Sequence, residues 1–196
     1  KIDIGKLASE WTLEEKSFAT KAEFLSNKLD AMIGQEKSHL APRDVILYGF
    51  GRIGRIAARE LIKQAGKGQQ LRLRAIVTRG DNEVALEKRA ALLRNDSVHG
   101  DFSGTVAVDL ENEALIINGT TVRIISENQP EDIDYTKYDI NNALIIDNTG
   151  VFRDKEALSR HLKAKGASKV LLTAPGKGIP NIVHGVNHKQ HNPDTV

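Results

Sequence analysis

One stretch of the chain decides its fold: Val45-Ile46-Leu47-Tyr48-Gly49-Phe50-Gly51-Arg52-Ile53-Gly54. Its first four residues form an apolar run that predicts a buried β-strand, and residues 53–64 have the spacing of a helix. The turn between them fits G-x-G-x-x-G. In a strand–turn–helix setting the first glycine permits a tight turn, the second lets a pyrophosphate approach the backbone, and the third allows close packing. We therefore predict a dinucleotide site with phosphate at the helix N-terminus, against the alternative of a simple glycine turn.

Short apolar runs alternate with helical patterns through the rest of the chain. Helices are predicted at residues 83–93 and 155–165, and an Asn118-Gly119 turn favours antiparallel hairpins. Together these patterns predict an α/β fold: a Rossmann-type doubly wound, mostly parallel sheet with an inserted antiparallel hairpin region and an N-terminal helix. The further strands are predicted at residues 71–77, 105–108, 114–117, 121–125, 143–146, 169–173 and 182–183.

The first forty residues have a different pattern. Apolar side chains recur there every three or four positions, which predicts one amphipathic helix that ends near Gly34. Pro42 separates this helix from the remainder of the chain, so we expect an N-terminal helical extension, residues 1–41, and a dinucleotide-binding domain, residues 42–196. Packing on a domain is favoured over a dedicated oligomerisation helix. The apolar stripe consists of Trp11, Phe18, Ala22, Leu25, Leu29 and Met32.

Composition narrows the function classes. Among 196 residues, 28 Lys and Arg balance 26 Asp and Glu, and cysteine is absent. Zero cysteine excludes a disulfide framework, a thiolate metal site and a thiol nucleophile within these residues. The near-neutral charge argues against nucleic-acid binding, and no apolar run approaches the roughly 18 residues of a membrane span. We expect a cytoplasmic protein with no membrane or nucleic-acid partner.

Cofactor specificity should be set at the end of the second strand. An acid about 20 residues after the glycines would accept a hydrogen bond from the ribose 2′-OH, but this chain has Thr78 and Arg79 there. An arginine can pair with a 2′-phosphate, which predicts that NADP is accepted. The alternative is that Arg79 is a solvated surface charge and that Asp81 does the work of the acid; the cofactor is therefore NAD or NADP.

The glycine-rich stretch does not stand alone, and its string of residues 48–55 resembles the opening of phosphorylating glyceraldehyde-3-phosphate dehydrogenases. The resemblance covers residues 44–196, whereas the extension before residue 42 lies outside the usual family pattern and suggests a longer member. The other matching strings come in the family order: Leu93-Arg94-Asn95-Asp96-Ser97-Val98-His99-Gly100, Asn118-Gly119, Asp147-Asn148-Thr149-Gly150-Val151-Phe152, Lys169-Val170-Leu171-Leu172-Thr173-Ala174-Pro175-Gly176-Lys177 and Gly185-Val186-Asn187.

The resemblance implies roles for particular positions. Arg52 and Ile53 match residues whose backbone contacts the cofactor pyrophosphate, and the segment Asn148-Thr149-Gly150 matches one that lies against the nicotinamide-side ribose. Residues 173–175 match a segment beside the cofactor. Asn128 falls where a basic residue is often found near the adenine. The implied cofactor-binding set is Gly49, Gly51, Arg52, Ile53, Gly54, Thr78, Arg79, Asn128, Asn148, Thr149 and Gly150.

The resemblance also implies a reaction. In the family a catalytic Cys forms a thiohemiacetal with a small phosphorylated aldehyde, hydride passes to the nicotinamide, and the acyl group is released to phosphate, as part of glycolysis and glucose metabolism and in a homotetramer. That Cys and its His base match no position of this chain. We therefore expect a homo-oligomeric enzyme of which this chain alone binds cofactor without turnover. An erythrose-4-phosphate dehydrogenase-like enzyme and a non-catalytic nucleotide-binding module are the alternatives.

Two other sets of residues favour structural interpretations. His184, His188 and His191 have a ligand-like spacing, but Gly185 and the other turn-forming residues argue against one continuous helix, and no metal is expected. Asp96 and Ser97 are expected to organise a turn rather than act as acid and nucleophile. A solvated face, rather than nucleic-acid binding, is expected for the basic residues of the first predicted helix, with a subunit interface as the alternative for Arg55; these residues are Arg52, Arg55, Arg59 and Lys63.

Overall fold

The computed structural model of the chain describes residues 4–30, 33, 42–65, 71–79 and 83–190. The chain divides into two compact units. One unit comprises Lys1–Pro42 and Gln64–Gln70, and the other comprises Arg43–Lys63 and Leu71–Val196.

The smaller unit holds two helices instead of the single predicted one, so that prediction is wrong. Helix α1 (Ile4–Glu14) runs into a 3₁₀ turn, and α2 (Lys21–Leu29) begins after a break in which Phe18 and Thr20 have extended backbone. Thr20 starts the second helix because its Oγ1 accepts a hydrogen bond from the backbone N–H of Glu23 at 3.1 Å. The Glu23 carboxylate in turn accepts from the N–H of Ala19 at 2.9 Å, which makes this a variant of the capping box.

The apolar core of this unit also differs from the predicted stripe. Phe24, which the stripe omits, is 1% exposed, whereas Leu25 is 41% exposed. The rings of Trp11 and Phe18 both meet the Phe24 ring edge-on at centroid distances of 5.3 Å. The break changes which side chains share a face, because a helix restarted at residue 21 has a new angular phase. Met32 and Gly34 lie outside the described residues.

The larger unit is built on a seven-stranded sheet. Its elements are β1 (Arg43–Tyr48), α3 (Arg52–Gln64), β2 (Leu71–Thr78), α4 (Glu83–Arg94), β3 (Asn95–Asp96), β4 (Gly100–Asp101), β5 (Val106–Asp109), β6 (Ala114–Ile117), β7 (Thr120–Ser126), β8 (Ala143–Asp147), α5 (Lys155–Ser159) and β9 (Ala167–Leu172). The strands of the sheet have the order β5-β6-β7-β2-β1-β8-β9. Strands β7, β2, β1, β8 and β9 pair in parallel, and β5, β6 and β7 form an antiparallel meander at one side. This confirms the predicted Rossmann-type α/β fold with its antiparallel insertion.

Both faces of the sheet are covered. Val45 and Leu47 of β1 pack in the core shared with α3 and α4, and the alternate residues Ile46 and Tyr48 pack in the core shared with α5 and nearby turns. Residues from Asp44 to Tyr48 are therefore all buried. A strand buried on both faces needs apolar side chains at successive positions, which explains the run that predicted it.

Three local predictions need correction. The helix expected at residues 155–165 ends at Ser159 and tightens into a 3₁₀ turn, Arg160–Lys163, which places His161 in the core. The strand expected at residues 182–183 is absent from the described chain. The side chain of Asn187 accepts a hydrogen bond from the N–H of Val183. That N–H is therefore not available to a neighbouring strand. The short antiparallel pair β3–β4 was not predicted.

Candidate dinucleotide site

A cleft lies where the order of the sheet reverses. The chain runs from β1 through α3 to β2 on one side of β1, whereas β8 pairs with the other side of β1. Open α/β sheets bind ligands in the crevice beyond the carboxyl ends of the strands at such a switch point. The cleft has a volume of about 400 Å³ and is lined by Tyr48, Gly49, Phe50, Gly51, Val77, Thr78, Arg79, Arg89, Glu127, Asn148, Thr149 and Val151.

The three glycines of the turn after β1 meet different demands. Gly49 has φ +93°, and a Cβ added there would lie 2.8 Å from Thr149 Cγ2. A Cβ on Gly54 would lie 2.3 Å from the carbonyl oxygen of Gly49, so the start of α3 packs directly on the turn. A Cβ on Gly51 would meet no described atom within 4 Å. Gly51 is therefore the glycine beside open space, as a backbone that approaches a pyrophosphate requires.

The first turn of α3 supplies donors at the same place. Arg55 N–H donates to the carbonyl of Gly51 at 3.0 Å, which is the first hydrogen bond of the helix. The backbone N–H groups before it, those of Arg52, Ile53 and Gly54, have no acceptor within a helix that starts here. Such groups, together with the positive end of the helix dipole, suit an anion. The turn and the helix start thus fit the pyrophosphate of a dinucleotide.

Charged side chains gather at the β2 end of the cleft. Thr78 is buried and Arg79 is exposed, and Arg89 of α4 donates from Nη2 to the carbonyl of Arg79 at 3.0 Å. Glu127 lines the same end, and its N–H donates to the carbonyl of Thr78 at 3.2 Å. Two guanidinium groups and one carboxylate therefore set the charge at this end. Asp81, the alternative acid, lies outside the described residues.

Tyr48 lies beneath this end of the cleft. Burial, followed by the charge of Asp147, raises the pKa of the Tyr48 hydroxyl to about 12. The hydroxyl donates to the carbonyl of Asn128 at 3.4 Å, and the Asn128 N–H donates to the Glu127 carboxylate. Asn128 is not among the residues that line the cleft. Its neighbour Glu127 lines the cleft in its place.

The β8 end of the cleft is a tightly bonded loop. Asn148 donates its backbone N–H to the carbonyl of Tyr48 at 2.8 Å and its side-chain Nδ2 to the carbonyl of Ile146 at 3.0 Å. Gly150 has φ +67° and accepts at its carbonyl from Nε of Arg153. Thr173 donates its hydroxyl to the carbonyl of Asp147 at 3.0 Å, which places it beside Asn148.

The structure thus brings together most of the predicted site residues. Six of them line the cleft, three form the first turn of α3 at its edge, and Gly150 follows the cleft-lining Thr149. Sequence reasoning missed Arg89, which lies outside every predicted motif, and Glu127, which adjoins the predicted Asn128. It also left out Tyr48, Phe50, Val77 and Val151, although all four adjoin predicted site positions. The six lining residues are Gly49, Gly51, Thr78, Arg79, Asn148 and Thr149.

The predicted solvated basic face of α3 is wrong for two of its members. Arg55 is 12% exposed at its side chain and pairs with Asp96 at 3.3 Å. Arg59 donates to the carbonyls of Leu93, Arg94 and Gly100, and so satisfies the C-terminal end of α4. Their partners lie more than 30 positions away in the chain, beyond the reach of a periodicity argument.

Asp96 organises a turn, as predicted. Its Oδ1 accepts the backbone N–H groups of Val98 and His99, both at 3.0 Å. These hydrogen bonds, with help from Arg55 and Arg52, lower the pKa of Asp96 to about 2. Arg52 also donates to the hydroxyl of Ser97 at 3.2 Å. This loop is therefore tied to the start of α3 at the edge of the cleft.

The two described histidines near the end of the chain stack on one another. The His184 and His188 rings have centroids 4.5 Å apart, and His188 Nδ1 accepts from the N–H of Gly185 at 2.9 Å. Residues 184–187 form a turn and His188–Gln190 a 3₁₀ helix, so no continuous α-helix carries this pair. His191 lies outside the described residues.

Comparison with known proteins decides the family. The sequence pattern of the "Glyceraldehyde 3-phosphate dehydrogenase, NAD binding domain" matches residues 43–155. This chain belongs to the glyceraldehyde 3-phosphate dehydrogenase family. The matched region contains β1, the glycine turn and β8, which build the cleft. The chain therefore carries an NAD-binding domain with the cofactor-binding role of a dehydrogenase.

Individual relatives agree. A "Glyceraldehyde-3-phosphate dehydrogenase-like protein" of Pseudomonas aeruginosa is 49% identical over 95% of this chain and 41% of its own length. Glyceraldehyde-3-phosphate dehydrogenase 1 of Agaricus bisporus is 36% identical over 78% of this chain and 42% of its own. Glyceraldehyde-3-phosphate dehydrogenase of Bacteroides fragilis is 38% identical over 73% of this chain and 40% of its own length. The chain spans about two fifths of the length of these curated relatives. Within its described ranges, no helix is both long and apolar enough to cross a membrane.

Proposed function

We propose that the dinucleotide lies across the cleft with its pyrophosphate at the glycine turn and the start of α3. Gly49, Gly51 and the N–H groups of residues 52–54 hold the phosphates. In this arrangement the adenosine end faces Thr78 and Arg79 at β2, because the second strand of a Rossmann unit carries the adenosine ribose contact. The nicotinamide end then faces Asn148, Thr149 and Gly150 at β8. Asn128 lies next to the adenine end, where its backbone bonds to the Glu127 carboxylate and the Tyr48 hydroxyl hold that side of the cleft.

We further propose that NADP is bound at least as tightly as NAD. The observation that carries this is the position of Arg79, which stands at the end of β2 and lines the cleft. A guanidinium group pairs with a phosphate through two N–H donors. Arg89 lines the same end and adds a second positive charge, whereas the Glu127 carboxylate opposes it. A carboxylate at position 79 would repel the 2′-phosphate.

Calorimetric titration of the 196-residue chain with NAD and with NADP tests this proposal. We expect the NADP dissociation constant to be equal to or below that of NAD, and Arg79→Ala to weaken NADP binding by about tenfold with little effect on NAD. Lys137→Ala removes one exposed positive charge in the 3₁₀ turn Tyr135–Tyr138 and serves as the charge-matched control. A large advantage for NAD in the unaltered chain would refute the role of Arg79.

For the whole protein we propose oxidation of a small phosphorylated aldehyde by NAD or NADP, with acyl transfer to phosphate. The family assignment and the relatives named glyceraldehyde-3-phosphate dehydrogenase support it. When bound, the nicotinamide supplies the hydride acceptor, and residues 42–196 supply its binding domain. We propose that the whole enzyme is a cytoplasmic homo-oligomer, and that residues 1–41 are an extension of the binding domain.

The 196-residue chain alone is proposed to bind cofactor without turnover, because it contains no cysteine to act as the thiol nucleophile. An assay that follows NADH or NADPH absorbance with glyceraldehyde 3-phosphate and inorganic phosphate separates the two statements. We expect no activity from this chain and phosphate-dependent activity from the full-length protein. Full-length protein that binds cofactor but lacks activity would favour a non-catalytic nucleotide-binding module instead.

A further inference from the structure

A buried histidine and a buried aspartate form a pair directly beneath the β8 end of the cleft. Asp147, the last residue of β8, is 0% exposed, and His161, in the 3₁₀ turn after α5, is 1% exposed. Nε2 of His161 lies 2.9 Å from Oδ2 of Asp147. Burying a carboxylate costs free energy that its hydrogen bonds must offset. The bonds that offset it here connect the pair to the cleft.

The hydrogen bonds around the pair fix its proton arrangement. Nδ1 of His161 has no hydrogen-bond partner among the described residues. The carboxylate oxygens of Asp147 are acceptors, so the bond to Oδ2 requires a proton on Nε2. His161 therefore donates from Nε2 to the carboxylate. The rings of Tyr48 and Phe152 meet the imidazole edge-on at 4.6 and 5.0 Å and hold its plane.

The other carboxylate oxygen of Asp147 controls Thr149. Oδ1 accepts from both the backbone N–H and the hydroxyl of Thr149, each at 2.7 Å. The Thr149 hydroxyl then accepts from the N–H of Val151 at 3.1 Å. With its hydroxyl fixed in this way, Thr149 directs its Cγ2 methyl at Gly49, where an added Cβ would lie only 2.8 Å away.

The chain of contacts therefore runs from His161 through Asp147 and Thr149 to both walls of the cleft. The imidazole of His161 contacts the side chains of Asp147, Tyr48 and Phe152. Because His161 lies beneath the cleft-lining loop, it acts on the β8 end of the site through Asp147 and Thr149. The bonds from Thr149 to Oδ1 and from His161 to Oδ2 together fix the plane of the Asp147 carboxylate.

We propose that His161 is a positioning residue for the nicotinamide end of the cofactor site. It orients the Asp147 carboxylate, which sets the conformation of residues 148–151 and thereby the surface that the nicotinamide ribose meets. This inference rests on the proposed placement of the dinucleotide. It predicts a selective effect: loss of the His161 donor weakens contacts at the β8 end more than those at the glycine turn and the β2 end.

Two probes of the 196-residue chain separate this role from general structural support. NAD reaches both ends of the cleft, whereas ADP carries only the adenosine and the two phosphates. We expect His161→Leu to weaken NAD binding by about tenfold and ADP binding by less than about twofold, as loss of one charge-assisted hydrogen bond would do. His161→Gln keeps an N–H donor and should restore NAD binding to within about threefold of the unaltered chain.

Thr149→Val tests the next contact of the same chain and leaves His161 and its bond to Asp147 in place. Valine preserves the shape of threonine and removes the hydroxyl that bonds to Asp147, so NAD binding should again weaken selectively. This variant decides the matter if His161→Leu fails to fold. Equal losses for NAD and ADP, or unchanged NAD binding in both variants, would overturn the positioning role. Failure of the unaltered chain to bind NAD would instead refute the proposed function, so the two failures are distinguishable.

Discussion

Replacing Gly54 with alanine should destabilise the fold through one contact. The added Cβ would lie 2.3 Å from the carbonyl oxygen of Gly49, and contacts under 3.0 Å are essentially never found for real Cβ atoms. The turn would have to open by about 0.7 Å, against the hydrogen bond from Gly49 N–H to Val77 at 2.9 Å. Overpacking of this kind costs about 3 kcal/mol where the neighbour is rigid backbone. Alanine recovers about 1 kcal/mol of helix propensity.

The net loss is therefore about 2 kcal/mol, which lowers the Tm of a chain of this size by about 4–8 °C. Gly51→Ala is the matched comparison, since its Cβ would meet no described atom within 4 Å. Gly51 precedes α3 as its N-cap, where alanine in place of glycine costs less than about 1 kcal/mol. At the same time the new methyl group would occupy the space proposed for the pyrophosphate.

Thermal unfolding followed by circular dichroism and calorimetric titration with NAD measure the two effects on each variant. We expect Gly54→Ala to lose stability, and Gly51→Ala to keep its Tm within about 4 °C while its NAD affinity falls by at least about tenfold. Equal stability of Gly54→Ala and the unaltered chain would refute the close-approach argument. Undiminished NAD binding by Gly51→Ala would refute the phosphate placement.

Two further predictions concern other parts of the chain. The pKa of Asp96 is about 2 in the folded chain, below its usual value of 3.8. Its ionisation therefore stabilises the fold above about pH 4, and this contribution disappears as the pH falls through 2. Urea unfolding at several pH values should show the difference in stability between the unaltered chain and Asp96→Asn closing over that interval, and a difference independent of pH would contradict the prediction. Thr20→Ala removes the acceptor for Glu23 N–H and should destabilise α2 by about 1 kcal/mol. The fluorescence of Trp11, the one tryptophan of the chain, follows unfolding of this unit, and Thr12→Ala at an exposed position serves as the control. Equal stability of these two variants would count against the cap.

The central sheet was predictable because its buried strands have a recognisable apolar pattern in the sequence. A strand buried on both faces requires a continuous apolar run, and Val45-Ile46-Leu47-Tyr48 is such a run, with a glycine pattern directly after it. The predicted start differs from the observed Arg43 by two residues. Arg43 and Asp44 are polar, but they extend the ladder because Asp44 pairs with Arg72 across to β2. Apolar periodicity cannot detect that kind of strand end.

Contacts between distant segments were the part that sequence could not supply. Arg59 has the appearance of a surface residue on a basic helix face until α4 places its last carbonyls against it. His161 lies in a predicted helix, and nothing in its spacing from Asp147 indicates that the two meet. The break at Phe18 was hidden for another reason, because its apolar side chain fits the helical period even though its backbone is extended.

The position of β8 beside β1 has a consequence for how the chain assembles. Val45 pairs with Leu144 and Leu47 with Ile146, so β1 and β8 are neighbours in the sheet although strands β2 to β7 lie between them in the sequence. Strands close in sequence can form early, whereas this pairing must close a long loop first. A chain in which β8 had not docked would lack the wall of the cleft at Asn148. Cofactor at a hundredfold excess over its Kd would thus stabilise chains with a completed sheet by about 2.7 kcal/mol, and would stabilise chains without docked β8 by less.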